Sequence, residues 1–313
     1  MPTELQLRTI SAIVNVFETS SVVGHYSAVT FNHADAGHLS YGRAQASLAS
    51  GSLGRLLQAY VANAAATFGK TFAPYVPRAL AVDTALDHDM FFQNLLRAVA
   101  DDKAMRDTQD DFFAKNYLMP AVQTATRAGI TTPLGMALAY DAYVQGGWGT
   151  VRDLTNAAVG AMPHVDEKTW LKAYIVQRRR WLTGLASQAH DTGYRMDAFQ
   201  RLVDLGQWDL GLPLVVRSLE ISAATLSATP EDCYDDSHPV GSRDLGLGAS
   251  GVLRGLDVRR LQVGLSASQP LVVADGVFGR GTADAVKAYQ GSHGSAATGT
   301  ASSALVLELA QPR

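Results

Sequence analysis

Apolar residues recur at three- and four-residue spacing through most of the first 220 residues of this chain. Ile10, Ile13, Val14 and Phe17 show the pattern clearly, and it ends near Glu18. This spacing is typical of an amphipathic helix with one face in a protein core. Similar patterns continue to about residue 205, so the sequence predicts a mainly α-helical domain.

One segment, residues 25–45, breaks the helical spacing. Val29 and Phe31 alternate with polar residues, a polar turn follows, and Leu39 and Tyr41 alternate in the same way. Two alternating runs separated by a polar turn predict a β-hairpin. A helical domain with a small inserted β-hairpin is therefore expected.

The character of the chain changes after residue 220. Residues 221–241 are rich in Ser, Thr, Asp and Pro and have no apolar period, which is typical of a linker. From residue 242 a compact segment with three predicted helices begins. We therefore predict three parts: a helical domain at 1–220, a linker at 221–241 and a small domain at 242–313.

The small domain contains a glycine-rich turn, Asp-Gly-Val-Phe-Gly-Arg-Gly-Thr, that starts at Asp275. Gly276 and Gly279 suit a tight turn with positive φ, and Thr282 is placed to cap the following helix, whose apolar face includes Val286. The segment resembles the three-helix peptidoglycan-binding domain that is appended to bacterial wall enzymes. The resemblance implies a small three-helix bundle and a peptidoglycan partner.

Composition excludes several other classes. Hydrophobic residues make up 47% and charged residues 18% of the chain, with 26 basic and 29 acidic side chains. This near-neutral balance does not indicate a nucleic-acid partner. Cys233 is the only cysteine, so an intrachain disulfide is excluded. No apolar run reaches the length of a membrane span, and the N-terminus does not read as a secretory signal.

Two carboxyl groups are placed for glycoside hydrolysis. This reaction needs an acid that protonates the leaving oxygen and a second carboxylate that activates water or attacks the anomeric carbon. Glu18 ends the first apolar helix, where apolar surroundings are expected to keep a carboxylic acid protonated. Asp35 follows in the turn of the predicted hairpin. The alternatives are a solvated Glu18 and an Asp35 that only forms the turn.

These segments resemble the chitosanase branch of the lysozyme superfamily. Phe17-Glu-Thr-Ser-Ser is similar to the general-acid segment of that family, and Asp35-Ala-Gly-His-Leu-Ser-Tyr-Gly is similar to its Asp-Gly-x-Gly-Tyr-Thr-Gly segment. The resemblance implies a two-lobed lysozyme-like fold, with Asp35 as general base or stabilising carboxylate and Ser40 positioning the water. The alternative for Ser40 is that it only pairs across the hairpin. Tyr41, Arg43 and Gln45 become candidates for the substrate cleft.

Two later segments extend the resemblance. The helix that contains Asp141 is similar to a family helix whose Asp supports the acid through a buried arginine, and the segment from Trp170 supplies an arginine at Arg178. Val176 stands where the family carries an Asp that helps to hold cationic glucosamine. Together with the wall-binding module, this difference favours a muramidase, which cleaves between N-acetylmuramic acid and N-acetylglucosamine. A chitosanase and a non-catalytic wall-binding protein are the alternatives.

Other chemistries fit the same hairpin less well. His25, His33 and His38 surround Asp35, but their spacing matches no zinc-hydrolase motif. A Ser–His–Asp triad built on Ser40 would lack a nucleophile elbow. We therefore expect no metal and no cofactor.

Action on the bacterial cell wall, in the periplasm or outside the cell, requires an export route. A phage endolysin released through a holin pore and an antibacterial effector delivered by a specialised secretion system both fit the sequence. The effector would require an immunity protein as partner.

Overall fold

The computed structural model describes residues 1–31, 37–185, 192–235, 237–248, 251–269 and 271–310. The chain divides into two compact units, each built from two segments of sequence. The first unit comprises Met1–Gly24 and Phe113–Ala228, and the second comprises His25–Phe112 and Thr229–Arg313.

The secondary structure of the described residues is mainly helical, with short antiparallel strands. In chain order the elements are α1 (Glu4–Thr19), β1 (Val29–Thr30), β2 (Ser40–Tyr41), β3 (Ala46–Ser47), α2 (Ser52–Val61), α3 (Gly69–Phe72), α4 (Tyr75–Leu80), a 3₁₀ turn (Thr84–His88), α5 (Met90–Val99), α6 (Lys103–Phe113), a π-helical turn (Ala114–Leu118), α7 (Met119–Arg127), α8 (Pro133–Gln145), α9 (Trp148–Val159), α10 (Glu167–Thr183), α11 (Tyr194–Asp204), β4 (Leu214–Val216), β5 (Leu219–Ile221), α12 (Ala223–Ser227), α13 (Leu256–Ser266), α14 (Arg280–Ser292) and α15 (Ser303–Leu309).

The first unit is organised around α8. Thr132 caps this helix through the backbone N–H of Gly135, and Pro133 occupies the first turn, where its missing N–H costs nothing. Every residue from Pro133 to Ala142 is buried, as expected for a helix that is apolar on all sides. Helices α1 and α7 pack against it, and α9, α10 and α11 complete the core.

Helix α1 has well-defined ends. Thr3 and Gln6 form a capping box, in which each side chain accepts a hydrogen bond from the other's backbone N–H. At the other end the backbone of Ser20 turns into the left-handed region with φ +55°, which stops the helix after Thr19. Glu18 therefore lies in the last turn of α1, as the sequence predicts.

The second unit contains a three-stranded antiparallel sheet in the order β1-β2-β3. Thr30 pairs with Ser40, and Ser40 pairs with Ser47 on its other side. The predicted hairpin is confirmed, but β3 was not expected. Gly42 follows β2 with φ +75°, and a Cβ there would lie 2.1 Å from Oε1 of Gln109, so a larger residue would be strained and would displace the Gln109 side chain.

Helices α13, α14 and α15 also belong to the second unit and enclose a core of their own. The amide of Gln262 organises the glycine-rich turn, because it donates to Asp275 Oδ1 and Thr282 Oγ1 and accepts from the backbone N–H of Gly276. The expected capping role of Thr282 is wrong. Gly279 is the N-cap of α14, and the buried Thr282 hydroxyl accepts the bond from Gln262 instead. The positive φ expected at Gly279 is also wrong, since its φ is −93°.

Residues 221–241, predicted as a linker, contain regular structure at their beginning. Strand β5 ends at Ile221, and α12 follows at once, started by a capping box between Ser222 and Thr225. The helix is five residues long and its start depends on this local cap, which explains why no apolar period revealed it. The division of the chain at 220 and 242 stays a prediction.

Candidate active site

The carboxyl group of Glu18 lies on the surface of the first unit, at the end of α1. Its side chain is 37% exposed. Nε2 of Gln145, the last residue of α8, donates a hydrogen bond of 3.1 Å to Glu18 Oε1. The group is therefore accessible to a ligand and held from one side.

Arg195 joins Glu18 to the buried Asp141. Its Nη1 lies 2.9 Å from Glu18 Oε1 and 2.8 Å from Asp141 Oδ1, and the arginine side chain is only 3% exposed. Burial opposes the positive charge, but Asp141 and then Glu18 outweigh it and raise the pKa of Arg195 above its usual value. The guanidinium also lies over the ring of Phe17, 5.3 Å from its centroid.

Asp141 is held from its other side by Arg178. Nη2 of Arg178 lies 3.3 Å from Asp141 Oδ2, and neither side chain is exposed. Arg178 also donates a bond of 3.0 Å to the carbonyl of Gly146, just after α8. A buried charge pair of this kind is tolerated because each ion compensates the other and further hydrogen bonds are present.

The structure thus differs from the sequence-based expectation in two respects. Glu18 lies against a guanidinium rather than in an apolar pocket, and Arg195, not Arg178, contacts it. Sequence reasoning missed Arg195 although a signal was present. It lies four, seven and eight residues before Phe199, Leu202 and Val203, so it extends the buried face of α11.

Ser40 lies in β2, the central strand of the small sheet of the second unit. Its side chain is 8% exposed. Asp35 and His33 lie outside the described residues, so the predicted base is not placed.

The three candidate cleft residues have different surroundings. Tyr41 is completely buried in the core of the second unit, which leaves it no surface for a sugar. Arg43 forms an ion pair with Asp110. Gln45 accepts from the Thr30 hydroxyl at 2.6 Å. These contacts give Arg43 and Gln45 a clear role in holding the turn after β2.

A histidine–aspartate pair lies just before β2. Nδ1 of His38 is 2.7 Å from Oδ2 of the buried Asp87, whose Oδ1 accepts from the backbone N–H of Leu39 at 2.8 Å. His38 has φ +56°, a backbone region that most side chains avoid. Asp87 therefore fixes the backbone that leads into Ser40.

Comparison with protein families decides the affiliation of the chain. The model of glycosyl hydrolase family 46 matches residues 12–214, well over half of the sequence. The chain belongs to glycosyl hydrolase family 46. A second model, of a peptidoglycan-binding domain, matches residues 254–306. Both resemblances inferred from the sequence are thereby confirmed.

Individual relatives agree with the family 46 assignment. A chitosanase of Bacillus subtilis (strain 168) is 27% identical over 233 residues, which cover 69% of this chain and 83% of the relative. The crystal structure of native chitosanase from Bacillus subtilis MY002 has a TM-score of 0.56 at 23% identity and covers 71% of this chain and 100% of its own. A GH46 chitosanase from Gynuella sunshinyii in complex with chitotetraose has a TM-score of 0.54 at 24% identity, with 72% and 99% covered.

The structural matches confirm the predicted lysozyme-like helical fold of this family 46 glycoside hydrolase. Within the described residues no helix is both long and apolar enough to cross a membrane. In the same part of the chain, no three His, Cys, Asp or Glu side chains are grouped so that they could hold a metal ion.

Proposed function

We propose that this family 46 hydrolase cleaves the β-1,4 glycan backbone of peptidoglycan, with Glu18 as the general acid. One observation carries the proposal: an accessible carboxyl group at the end of α1 is held by a buried Arg195–Asp141–Arg178 network. Such a network fixes the position of a group that must meet a scissile bond accurately.

The geometry supports a specific proton path from Glu18. Both Arg195 and Gln145 contact Oε1 of the carboxyl group, so the proton is assigned to Oε2. It passes to the glycosidic oxygen as the bond to the anomeric carbon breaks. Asp35 takes a proton from the water that attacks the anomeric carbon, and Ser40 orients that water. One fragment gains a reducing end and the other a hydroxyl group.

Two features favour peptidoglycan over chitosan as substrate. The chain carries a peptidoglycan-binding domain. Val176 is 43% exposed at the position where resemblance to chitosanases leads us to expect an acidic residue. A carboxylate at such a position would attract the ammonium group of glucosamine, whereas valine gives a cationic sugar no advantage over an N-acetylated one.

The central test replaces Glu18 with glutamine, which keeps the shape of the side chain but has no proton to give. Glu4→Gln, in the exposed first turn of the same helix, is the matched control. We expect the Glu18→Gln protein to release no soluble fragments from purified sacculi and the control to match the wild type. A folded Glu18→Gln protein that clears sacculi at the wild-type rate would refute the proposal.

The bond that is cut follows from the new reducing ends. After borohydride reduction, mass spectrometry of the products distinguishes muramitol, expected from a muramidase, from glucosaminitol. Glucosaminitol ends would contradict the muramidase assignment while leaving a glycan hydrolase.

Chitosan hydrolysis is the second candidate, and it is favoured by the similarity to the Bacillus subtilis and Gynuella sunshinyii proteins, which are chitosanases. Reducing-end release from chitosan and from peptidoglycan, measured with the same preparation, separates the two substrates. Binding to sacculi without any fragment release from either polymer would instead indicate a wall-binding protein without catalytic activity.

A wall substrate places the activity outside the cytoplasm, either as a phage endolysin or as an antibacterial effector with an immunity protein. Expression with and without a periplasmic leader tests the site of action. Lysis should require the leader and should disappear in the Glu18→Gln variant. Protection by a co-expressed neighbouring gene product would favour the effector.

A further inference from the structure

Arg259, in the first turns of α13, is a buried charged residue of the small domain predicted at 242–313, which is called the C-terminal module below. Its side chain is 3% exposed, and Nη1 lies 2.8 Å from Oδ1 of Asp101, which is also buried. The same nitrogen donates to the carbonyl of Arg97 at 3.2 Å. Asp101 and Arg97 belong to α5 and the turn after it, which are part of the family 46 region of the chain.

The other terminal nitrogen of Arg259 holds the segment that leads into the module. Nη2 donates to the carbonyl of Asp232 at 3.0 Å, and the guanidinium lies over the ring of Tyr234, 4.6 Å from its centroid. The Asp232 carboxylate in turn accepts from the backbone N–H of Ser27 at 2.6 Å, two residues before β1. One path therefore runs from the module to the start of the sheet.

A second path runs through α6. The turn that contains Asp101 continues into Asp102, whose Oδ1 accepts from the backbone N–H of Ala104 in the first turn of α6. This cap sets where α6 begins, and Gln109 and Asp110 lie about one and a half turns further along the same helix.

These two residues of α6 hold the turn of the sheet. The Gln109 amide accepts from the backbone N–H of Arg43 and donates to the carbonyl of Tyr26, both at 3.1 Å. Asp110 pairs with the Arg43 guanidinium and accepts from the Tyr26 hydroxyl at 2.6 Å. Arg43 follows Ser40 by three residues, so α6 fixes the strand that carries Ser40.

The C-terminal module also packs directly against α5, with contacts that a domain joined only by a linker would not need. The side chain of Asn94 in α5 donates to the carbonyl of Val272 at 2.7 Å and accepts from the backbone N–H of Ala274 at 2.9 Å. Val263 and Ala274 of the module lie in the same apolar core as Leu95. Buried polar groups and a buried ion pair are stable only in a fixed geometry.

We propose that Arg259 is a positioning residue for the hydrolytic reaction, which acts through Asp101 and Asp232 on the sheet that carries Ser40. The C-terminal module then supports the sheet that carries Ser40, in addition to binding the wall. This inference rests on the proposed function, because the proposed function assigns to Ser40 the orientation of the attacking water.

The test compares Arg259→Met with Arg243→Met in the full chain. Arg243 pairs with the buried Asp257 inside the module, 2.8 Å away, so its loss disturbs the module without breaking the contacts of Arg259. The values of kcat and KM are measured on the substrate that the wild type hydrolyses, either solubilised glycan strands or chitosan. We expect kcat of Arg259→Met to fall on the order of 10- to 100-fold with KM nearly unchanged, because a small misplacement of reacting groups has effects of this size. Arg243→Met should keep kcat.

Arg259→Lys adds a conservative variant. Lysine can reach Asp101 as a single charged point, but it cannot also hold Asp232, because Arg259 uses two nitrogens for the two contacts. Its kcat should lie between those of the wild type and Arg259→Met. Should Arg259→Met fail to fold, Asp232→Ala removes the carboxylate that accepts from the Ser27 N–H and from Cys233 Sγ, but keeps the backbone carbonyl that Arg259 binds. It should lower kcat in the same direction.

The outcomes separate the two proposals. A folded Arg259→Met with wild-type kcat overturns the inference, as does an unfolded Arg259→Met together with a fully active Asp232→Ala. An active Glu18→Gln overturns the proposed function itself, whatever the module variants do. An inactive Glu18→Gln with a fully active Arg259→Met removes only the positioning role.

Discussion

Replacing Arg195 or Arg178 by methionine distinguishes the arginine that contacts the proposed acid from the one that only supports it. Arg195 contacts both Glu18 and Asp141, whereas Arg178 contacts Asp141 and the carbonyl of Gly146. Methionine fills much of the space of arginine without its charge. Both changes leave the buried Asp141 with one cation instead of two.

The two variants should lose similar stability but very different activity. Removing one partner of a buried ion pair costs about 3–5 kcal/mol, and we expect about 3 kcal/mol for each variant because Asp141 keeps one partner. Positioned general acids contribute about 10²- to 10⁴-fold. Arg195→Met should therefore lose about 10²-fold in kcat. Arg178→Met should lose less than about tenfold, since Glu18 keeps its contacts with Arg195 and Gln145.

Urea unfolding gives the stability of each variant, and initial rates on sacculi are measured at a temperature where all proteins are folded. Arg195→Lys is informative because one nitrogen, Nη1, makes both contacts of Arg195, so a lysine ammonium group is able to replace part of them. It should recover some of the lost activity. Equal losses of kcat in Arg195→Met and Arg178→Met, or an Arg195→Met protein with near wild-type kcat, would contradict the assigned division of roles.

Two further predictions concern the second unit. Burial, opposed by Arg259, raises the pKa of Asp101 from its ordinary value of 3.8 to about 6, so the folded protein binds this proton more tightly than the unfolded chain. The contribution of this group to the free energy of unfolding should fall by about 3 kcal/mol as pH rises from 4 to above 6. Asp101→Asn should remove this pH dependence, which urea unfolding measures. A stability difference between the two proteins that is constant with pH would refute the prediction. Gly276→Ala should destabilise the protein by about 2–4 kcal/mol, since φ is +75° and the new Cβ would lie 2.0 Å from the Tyr234 ring, and an unchanged melting temperature would show that this contact is absent.

Local patterns predicted those features of the chain that depend on neighbouring residues. The end of α1 at Glu18 follows from apolar spacing, and the hairpin follows from alternation on both sides of a polar turn. Arg178 was recognised from the resemblance of the segment that starts at Trp170 to its family counterpart, and the structure places it on the buried face of α10. Periodicity and family resemblance therefore gave the helical fold and part of the network.

Contacts between distant residues could not be predicted in this way. Arg195 contacts Glu18, 177 positions away in the sequence, and Asp141, 54 positions away. The residues next to Arg195 in the sequence therefore do not indicate its partners. The contact of Ser27 with Asp232 spans 205 positions and fixes a segment that local composition describes as a linker. Strand β3 was missed because it lies just beyond residues 25–45, the segment that the hairpin prediction covered.

The shared core of α5 and the module has a practical consequence for protein engineering. Chimeric glycoside hydrolases are simplest to make when the binding domain can be exchanged at a flexible joint. Here a foreign module would have to reproduce the faces of Val263 and Ala274 against Leu95 and the backbone groups that meet Asn94. A graft that keeps α13 and the residues around 272–274, and varies only the outer helices, is the design that preserves this lobe.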